Sequence, residues 1–379
     1  MVLYRILTLV AAFLLAFTPV ARAEGLSPLP ELSAQFDLNG YAANTDTITK
    51  EFPDIPNVAF ELSLPKTWIE RSALGQSYGE LIRYEGPAVG DVRPYFSFKR
   101  IALKRENTAA HELVSYLLKQ AYVLRSIHEI DDRNVEALYV LVNEAGDDFA
   151  VRAKIRIVGP DMLMAEYGVP IRGFDRMRDE QTFAVRSFKY LKDSKDTIEK
   201  RVERTYFRAL RFYYPASWVF DKEESSAENR VRLTLVNKGD NGEEVGKIKI
   251  TLLSTASLKD DEGKKVFNVD VSGELKDIRK RYEDAKYVFG PTIENRKPDL
   301  NLPTSFATLN AYQMQVKTGQ YDTDALASAH NEVWLTVFRT SGPLDRTYVV
   351  EMLTPSRSEN LYMWSVNTRT YELILKSIQ

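Results

Sequence analysis

Phe60-Glu61-Leu62-Ser63-Leu64-Pro65-Lys66-Thr67-Trp68 alternates apolar and polar side chains up to a proline and then places a tryptophan three residues on. Leu210-Arg211-Phe212-Tyr213-Tyr214-Pro215-Ala216-Ser217-Trp218 has the same form. A period of two is the pattern of a strand with one buried face, and a proline at the strand's end removes no ladder hydrogen bond. The turn at the proline lets the tryptophan fold back over the core. Since the pattern heads two stretches of similar length, Pro65, Trp68, Pro215 and Trp218 read as fold markers rather than as a displayed binding surface.

Behind the first marker, alternation predicts strands over 80–84 and 95–103. The period then lengthens to about 3.6, with Ala110, Leu113, Val114, Leu117, Leu118 and Ala121 on one face of a helix over 108–122 capped by Asn107 or Thr108. Strands follow over 135–142, 148–158 and 161–169, the last ending at Pro170, and the stretch closes in a helix at Phe183–Phe188. The second stretch repeats this order. Strands carrying Val231, Leu233, Leu235 and Ile248, Ile250, Leu252 precede a helix over 272–285, with Leu275, Ile278, Tyr282 and Ala285 inward. Asp277/Arg281 and Arg279/Glu283 are expected to pair on its outer face. Strands over 308–318, 331–339 and 346–353 end at Pro355, and a closing helix ends in Ser377-Ile378, where the first stretch ends in Ser187-Phe188. Meanders flanked by helices, without regular strand-helix alternation, give an α+β fold class: two tandem domains, each a mainly antiparallel sheet flanked by helices.

The N-terminus sets the address. Arg5 precedes an apolar run from Ile6 to Phe17, Pro19 interrupts it, and Ala21-Arg22-Ala23 has the form of a cleavage site. The run is shorter than the roughly 20 residues needed to span a bilayer. The expectation is a signal peptide at 1–23, cleavage after Ala23, and a periplasmic or secreted protein. With no cysteine in the chain, neither a lipid-modified thiol nor a disulfide framework is available. Removing Arg5 and Arg22 with the signal leaves 49 basic against 53 acidic groups, a balance that does not attract nucleic acid or anionic lipid. Residues 24–57, marked by Pro28, Pro30, Pro53 and Pro56, read as an extended N-terminal arm; 58–191 as the first domain; 192–205 as a charged linker; 206–379 as the second domain.

The order strand-Pro-x-x-Trp, two strands, amphipathic helix, three strands, Pro, terminal helix resembles the PsbP-like fold, the superfamily that also holds the Ran-binding Mog proteins and exported bacterial members. The resemblance covers about 58–190 and 206–379, and departs from the usual pattern in carrying two units and a long loop at 319–331. It implies an accessory or binding subunit rather than an enzyme.

Chemistry-bearing residues are few. Gly75-Gln76-Ser77-Tyr78-Gly79 fits the nucleophile-elbow pattern, and a hydrolase would use Ser77 with His111 or His330 as base; yet Glu80–Tyr84 alternates as a strand where the elbow requires a helix. His111 sits at the edge of its helix, four residues before Ser115, and His128 falls in a connection. Asp322, Asp324 and His330 share one loop and offer an incomplete metal-ligand set. No phosphate loop or dinucleotide fingerprint appears, so no cofactor is expected. The expected function is an exported, non-enzymatic protein that binds a protein partner of the cell envelope, with the arm and the 319–331 loop as its surfaces; the alternatives are the Ser77 hydrolase and a small-ligand or metal carrier at the cleft between the domains.

Overall fold

A computed structural model describes residues 26–55, 57–71, 78–206, 210–225, 230–254, 271–316, 326, 329–341 and 346–379. The chain divides into two compact units between Ile198 and Glu199. The signal peptide expected at 1–23 lies outside the described residues.

In the first unit, a short helix α1 (Leu38–Ala43) leads into β1 (Thr45–Glu51), which runs antiparallel to β2 (Ala59–Pro65), the strand of the first Pro-x-x-Trp marker. The chain then builds a seven-stranded antiparallel sheet from β3 (Ile69–Arg71), β4 (Glu80–Glu85), β5 (Tyr95–Ala102), β6 (Val123–Asp131), β7 (Asn134–Val142), β8 (Asp148–Val158) and β9 (Asp161–Pro170). Their order across the sheet is β3-β4-β5-β9-β8-β7-β6. Helix α2 (Ala109–Lys119) links β5 to β6 and covers β6, β7 and β8. Helix α3 (Phe174–Ser187) follows β9 and packs with β2 on the opposite face, over a core that includes Phe60, Leu62, Phe96, Phe98, Tyr167 and Phe188. Strand β10 (Lys189–Tyr190) then pairs with β2.

The second unit has the hairpin of β11 (Arg201–Tyr206) and β12 (Leu210–Pro215), then β13 (Trp218–Ser225), β14 (Arg230–Lys238), β15 (Glu244–Ser254), helix α4 (Val271–Asp284), β16 (Tyr287–Arg296), β17 (Thr304–Val316), β18 (His330–Thr340), β19 (Arg346–Pro355) and helix α5 (Leu361–Ser377). Its sheet runs β13-β14-β15-β19-β18-β17-β16, strand for strand the order of the first. Helix α5 and β12 enclose a core with Phe212, Trp218, Trp334, Phe338, Tyr348 and Tyr371.

Both units close on themselves through the same hydrogen bond. The Ser187 hydroxyl accepts from the Ser63 backbone N–H at 3.1 Å and donates to Ala184 O. The Ser377 hydroxyl accepts from the Tyr213 N–H at 2.9 Å and donates to Ile374 O. Each thus fixes the last turn of the terminal helix to the strand position two before Pro65 or Pro215. The next residue in each case, Phe188 or Ile378, is fully buried.

Several expectations are corrected. The arm at 24–57 is not simply extended: it contains α1 and β1, and its described N-terminal part is fastened to the first unit. The fully buried Arg152 guanidinium donates to Pro30 O and Thr182 Oγ1, each at 2.7 Å, and pairs with Glu136 at 2.6 Å. Ser33 donates twice to Asp179, and Ser27 N–H bonds Arg125 O on the edge strand β6. The charged linker at 192–205 is also tied down. Arg156 pairs with Asp193, Arg133 donates to Ser194 O and Asp196 O, and residues from Arg201 form β11. The terminal helix of the first unit begins at Phe174, well before 183, because its outer face is nearly all charged and hides the period.

Candidate functional site

The residues singled out from the sequence are not brought into one site. Ser77 lies outside the described residues. The part of its motif that is described runs through Gly79 (φ 75°) straight into strand β4, without the helix that a nucleophile elbow requires. His111 is the third residue of α2, where its Nδ1 lies 2.8 Å from the hydroxyl of the capping Thr108. His128 is not in a connection but on β6, exposed and opposite Glu136. His330 opens β18; its backbone N–H donates to Glu359 Oε2 at 2.7 Å and its Nδ1 stands 3.6 Å from the same carboxylate. Asp322 and Asp324, the other members of the suggested metal set, lie outside the described residues. Among the described residues no group of three or more His, Asp or Glu is placed to hold a metal ion. None of the described helices is long and apolar enough to cross a membrane.

What the fold does bring together is a buried carboxylate, once in each unit and at the same place. Glu166 and Glu351 each stand four residues before the proline that ends β9 or β19, on the face that α2 or α4 overlies. Glu166 is completely buried, pairs with Lys99 at 2.8 Å, and accepts from Tyr139 Oη at 2.7 Å and Ser97 Oγ at 3.1 Å. Burial works against the Lys99 charge, but Glu166 and the neighbouring tyrosines outweigh it and hold the ammonium above the usual lysine range. Glu351 shares its charge instead: Arg281 takes one oxygen at 2.8 Å, Tyr282 Oη donates to the other, and Lys249 stays 3.8 Å away. There burial lowers the Lys249 pKa, with Glu351 only partly opposing it. With partners on both oxygens, each carboxylate acts as a satisfied structural ion that joins the middle strands to their surroundings. The sequence carries a signal for it, Glu-x-x-x-Pro at the end of corresponding strands, which motifs built on His and Ser do not capture.

The two units differ in how completely that face is sealed. In the first, Val135, Ala137 and Tyr139 of β7 are fully buried beneath α2. The matching positions of β17 are Thr308, Asn310 and Tyr312. The match follows from register, since Tyr139 and Tyr312 each lie across two strands from the residue two before the terminal proline. All three β17 residues remain partly exposed, and Phe306 on the same strand is 54% exposed. Helix α4 packs chiefly against β16, which leaves a pocket of about 260 Å³ lined by Leu275, Ile278, Phe289, Tyr312, Val333 and Leu335, with Lys276 and Arg279 at its rim. A second hollow of about 420 Å³ adjoins it past Arg279 and Phe289, bounded by Glu283, Val288 and Gly290.

Three details of α4 depart from the sequence reading. Arg279 is not paired with Glu283; its guanidinium lies over the Phe289 ring, 4.9 Å from the centroid. Arg281 reaches inward to Glu351 instead of outward to Asp277. Leu275, expected in the core, lines the pocket and is half-buried. Helical spacing identifies an apolar stripe, but how far the helix is shifted over the sheet decides which of its members are covered.

No family model matches the chain, and no curated protein matches it. Among solved structures, it is similar to the solution structure of cyanobacterial PsbP (CyanoP) from Synechocystis sp., at 13% identity and a TM-score of 0.30, over 43% of this chain and 99% of that one. It is also similar to a crystal structure from Bacteroides thetaiotaomicron, at 15% identity and a TM-score of 0.24, over 35% of this chain and 45% of that one.

Proposed function

We propose that the chain is an exported, non-enzymatic protein that recognises a partner protein of the cell envelope, and that it is built from two copies of a PsbP-like unit. The N-terminal segment with Arg5, its apolar run and Ala21-Arg22-Ala23 supports export. The equal strand order of the two sheets, the paired Pro-x-x-Trp strands and the paired Ser187 and Ser377 closures support duplication of one unit. The observation that carries a binding role is the incompletely covered sheet face of the second unit, where Phe306 is exposed and Tyr312 and Leu335 are only half-buried, the latter two beside Lys276 and Arg279 of α4. Exposed apolar area rimmed by polar groups is the usual mark of an interaction surface.

The test places a photo-crosslinking residue at Phe306 or at the exposed Lys280 in intact cells. A discrete adduct from the envelope fraction, stronger at Phe306, is the expected result. If no adduct formed at either position and the purified protein turned over simple esters, the binding role would be lost to the hydrolase reading.

A further inference from the structure

The pocket beside α4 has a chemical preference written into its rim. Its floor and walls are apolar, with Leu275 and Ile278 from the helix and Tyr312, Val333 and Leu335 from the sheet. Arg279 and Lys276 stand at the mouth, and neither makes an ion pair with the described residues. The Arg279 guanidinium stands over the Phe289 ring. A guanidinium over an aromatic ring retains N–H donors in the planar fork that matches a carboxylate. An apolar hollow with an oriented, unpaired fork at its lip is complementary to an acid attached to an apolar body.

The shape favours a chain over a small free acid. The two hollows lie on either side of Arg279 and Phe289, so together they form an elongated groove along α4 and β16 with its cationic point in the middle. We propose that this groove receives an extended segment of the partner protein, with an aromatic or branched aliphatic side chain seated between Leu275 and Leu335 and an adjacent carboxylate on Arg279 and Lys276. This rests on the reading of the protein as a partner-binding protein. The arm and the 319–331 loop are not needed for it.

The experiment uses the full chain and two blocked peptides, one with Phe followed by Glu and one with Gln in place of that Glu, with affinities measured by NMR titration. The Glu peptide is expected to bind, and the Gln peptide to bind about tenfold more weakly or worse, the scale of one lost charge-assisted contact. Arg279→Gln with Lys276→Gln should weaken the Glu peptide by a similar factor, while Lys280→Gln, on the same helix but off the pocket, should not. All three lysine and arginine sites are exposed, and unchanged backbone spectra would verify folding. Equal affinity for the two peptides, no shifts at millimolar peptide, or equal loss in Lys280→Gln would overturn the proposal. So would tight binding of phenylbutyrate with none of the peptide, which would assign the groove to a free acid, or a self-association abolished by Arg279→Gln, which would assign it to a second copy of this chain. A cross-linked partner whose capture is indifferent to Arg279→Gln would sink the groove and leave the general binding role standing.

Discussion

In the first turns of α2, Glu112 has lost most of its water, and burial pushes its carboxyl up to about 7, with the Asn107 amide at 2.9 Å and Lys119 only partly opposing the shift. A carboxyl whose folded pKa is raised binds its proton more tightly in the native state. Its stabilising contribution is therefore complete below the unfolded pKa and disappears as pH rises through about 7. The melting temperature of the first unit should fall between pH 5 and pH 8, and Glu112→Gln should flatten that fall; a pH series of thermal melts on both proteins checks it. An unchanged slope in Glu112→Gln would refute the assignment. At this scale the sequence was least informative. Glu-x-x-x-Pro marks Glu166 and Glu351 as a matched pair, but neither that spacing nor anything around Glu112 tells a surface carboxylate from a buried one, because burial depends on strands and helices that come together from distant parts of the chain. Trp68 and Trp218 were readable because a large apolar side chain at a fixed distance from a strand end has few places to go, and both are buried.

Among elements, the Ser187 and Ser377 closures invite a matched pair of substitutions. Ser187→Ala and Ser377→Ala should each destabilise their own unit by about 1 kcal/mol, the usual worth of a hydrogen bond to a partly buried backbone donor, read from urea midpoints. Hydrogen exchange at the Ser63 or Tyr213 amide should rise in the same variants. Equal exchange in parent and variant would mean that the helix end is held by Phe188 or Ile378 alone. The strands that alternation located, such as β8 and β18, are central ones with one or both faces covered. Those it missed are at the edges. In β6 only Leu124 and Ser126 are buried, so its period is drowned by polar residues. β16 contains Gly290-Pro291 and two irregularities of register. β11, Arg201-Val202-Glu203-Arg204-Thr205-Tyr206, alternates in burial, but the charged Arg204 stands between Val202 and Tyr206 on its half-buried face, so the run reads as a linker. An edge strand has half its surroundings supplied by water, and a pattern built on burial weakens accordingly.

Over the whole molecule, architecture was more legible than the binding surface. Two units in the same order of elements followed from repeated proline-tryptophan strands and paired terminal helices. Which of the two keeps an open groove did not follow, since it turns on how far α4 lies from β17, a distance that no local pattern encodes. The paired closures also bear on how the chain reaches its native state as it is made. In each unit the strand of the Pro-x-x-Trp marker, β2 or β12, is bonded to the last helix, 124 positions away for Ser63 and Ser187 and 164 for Tyr213 and Ser377. Neither β2 nor β12 can take its final place until its own unit is almost completely synthesised, so native contacts of high sequence separation control the end of folding. The longer closure should make the second unit the slower one to refold after dilution from urea, with tryptophan fluorescence following Trp68 in one unit and Trp218, Trp334 and Trp364 in the other. Until then its core-facing strand edge stays available to chaperones and to wrong partners, an interval that the first unit outlives sooner.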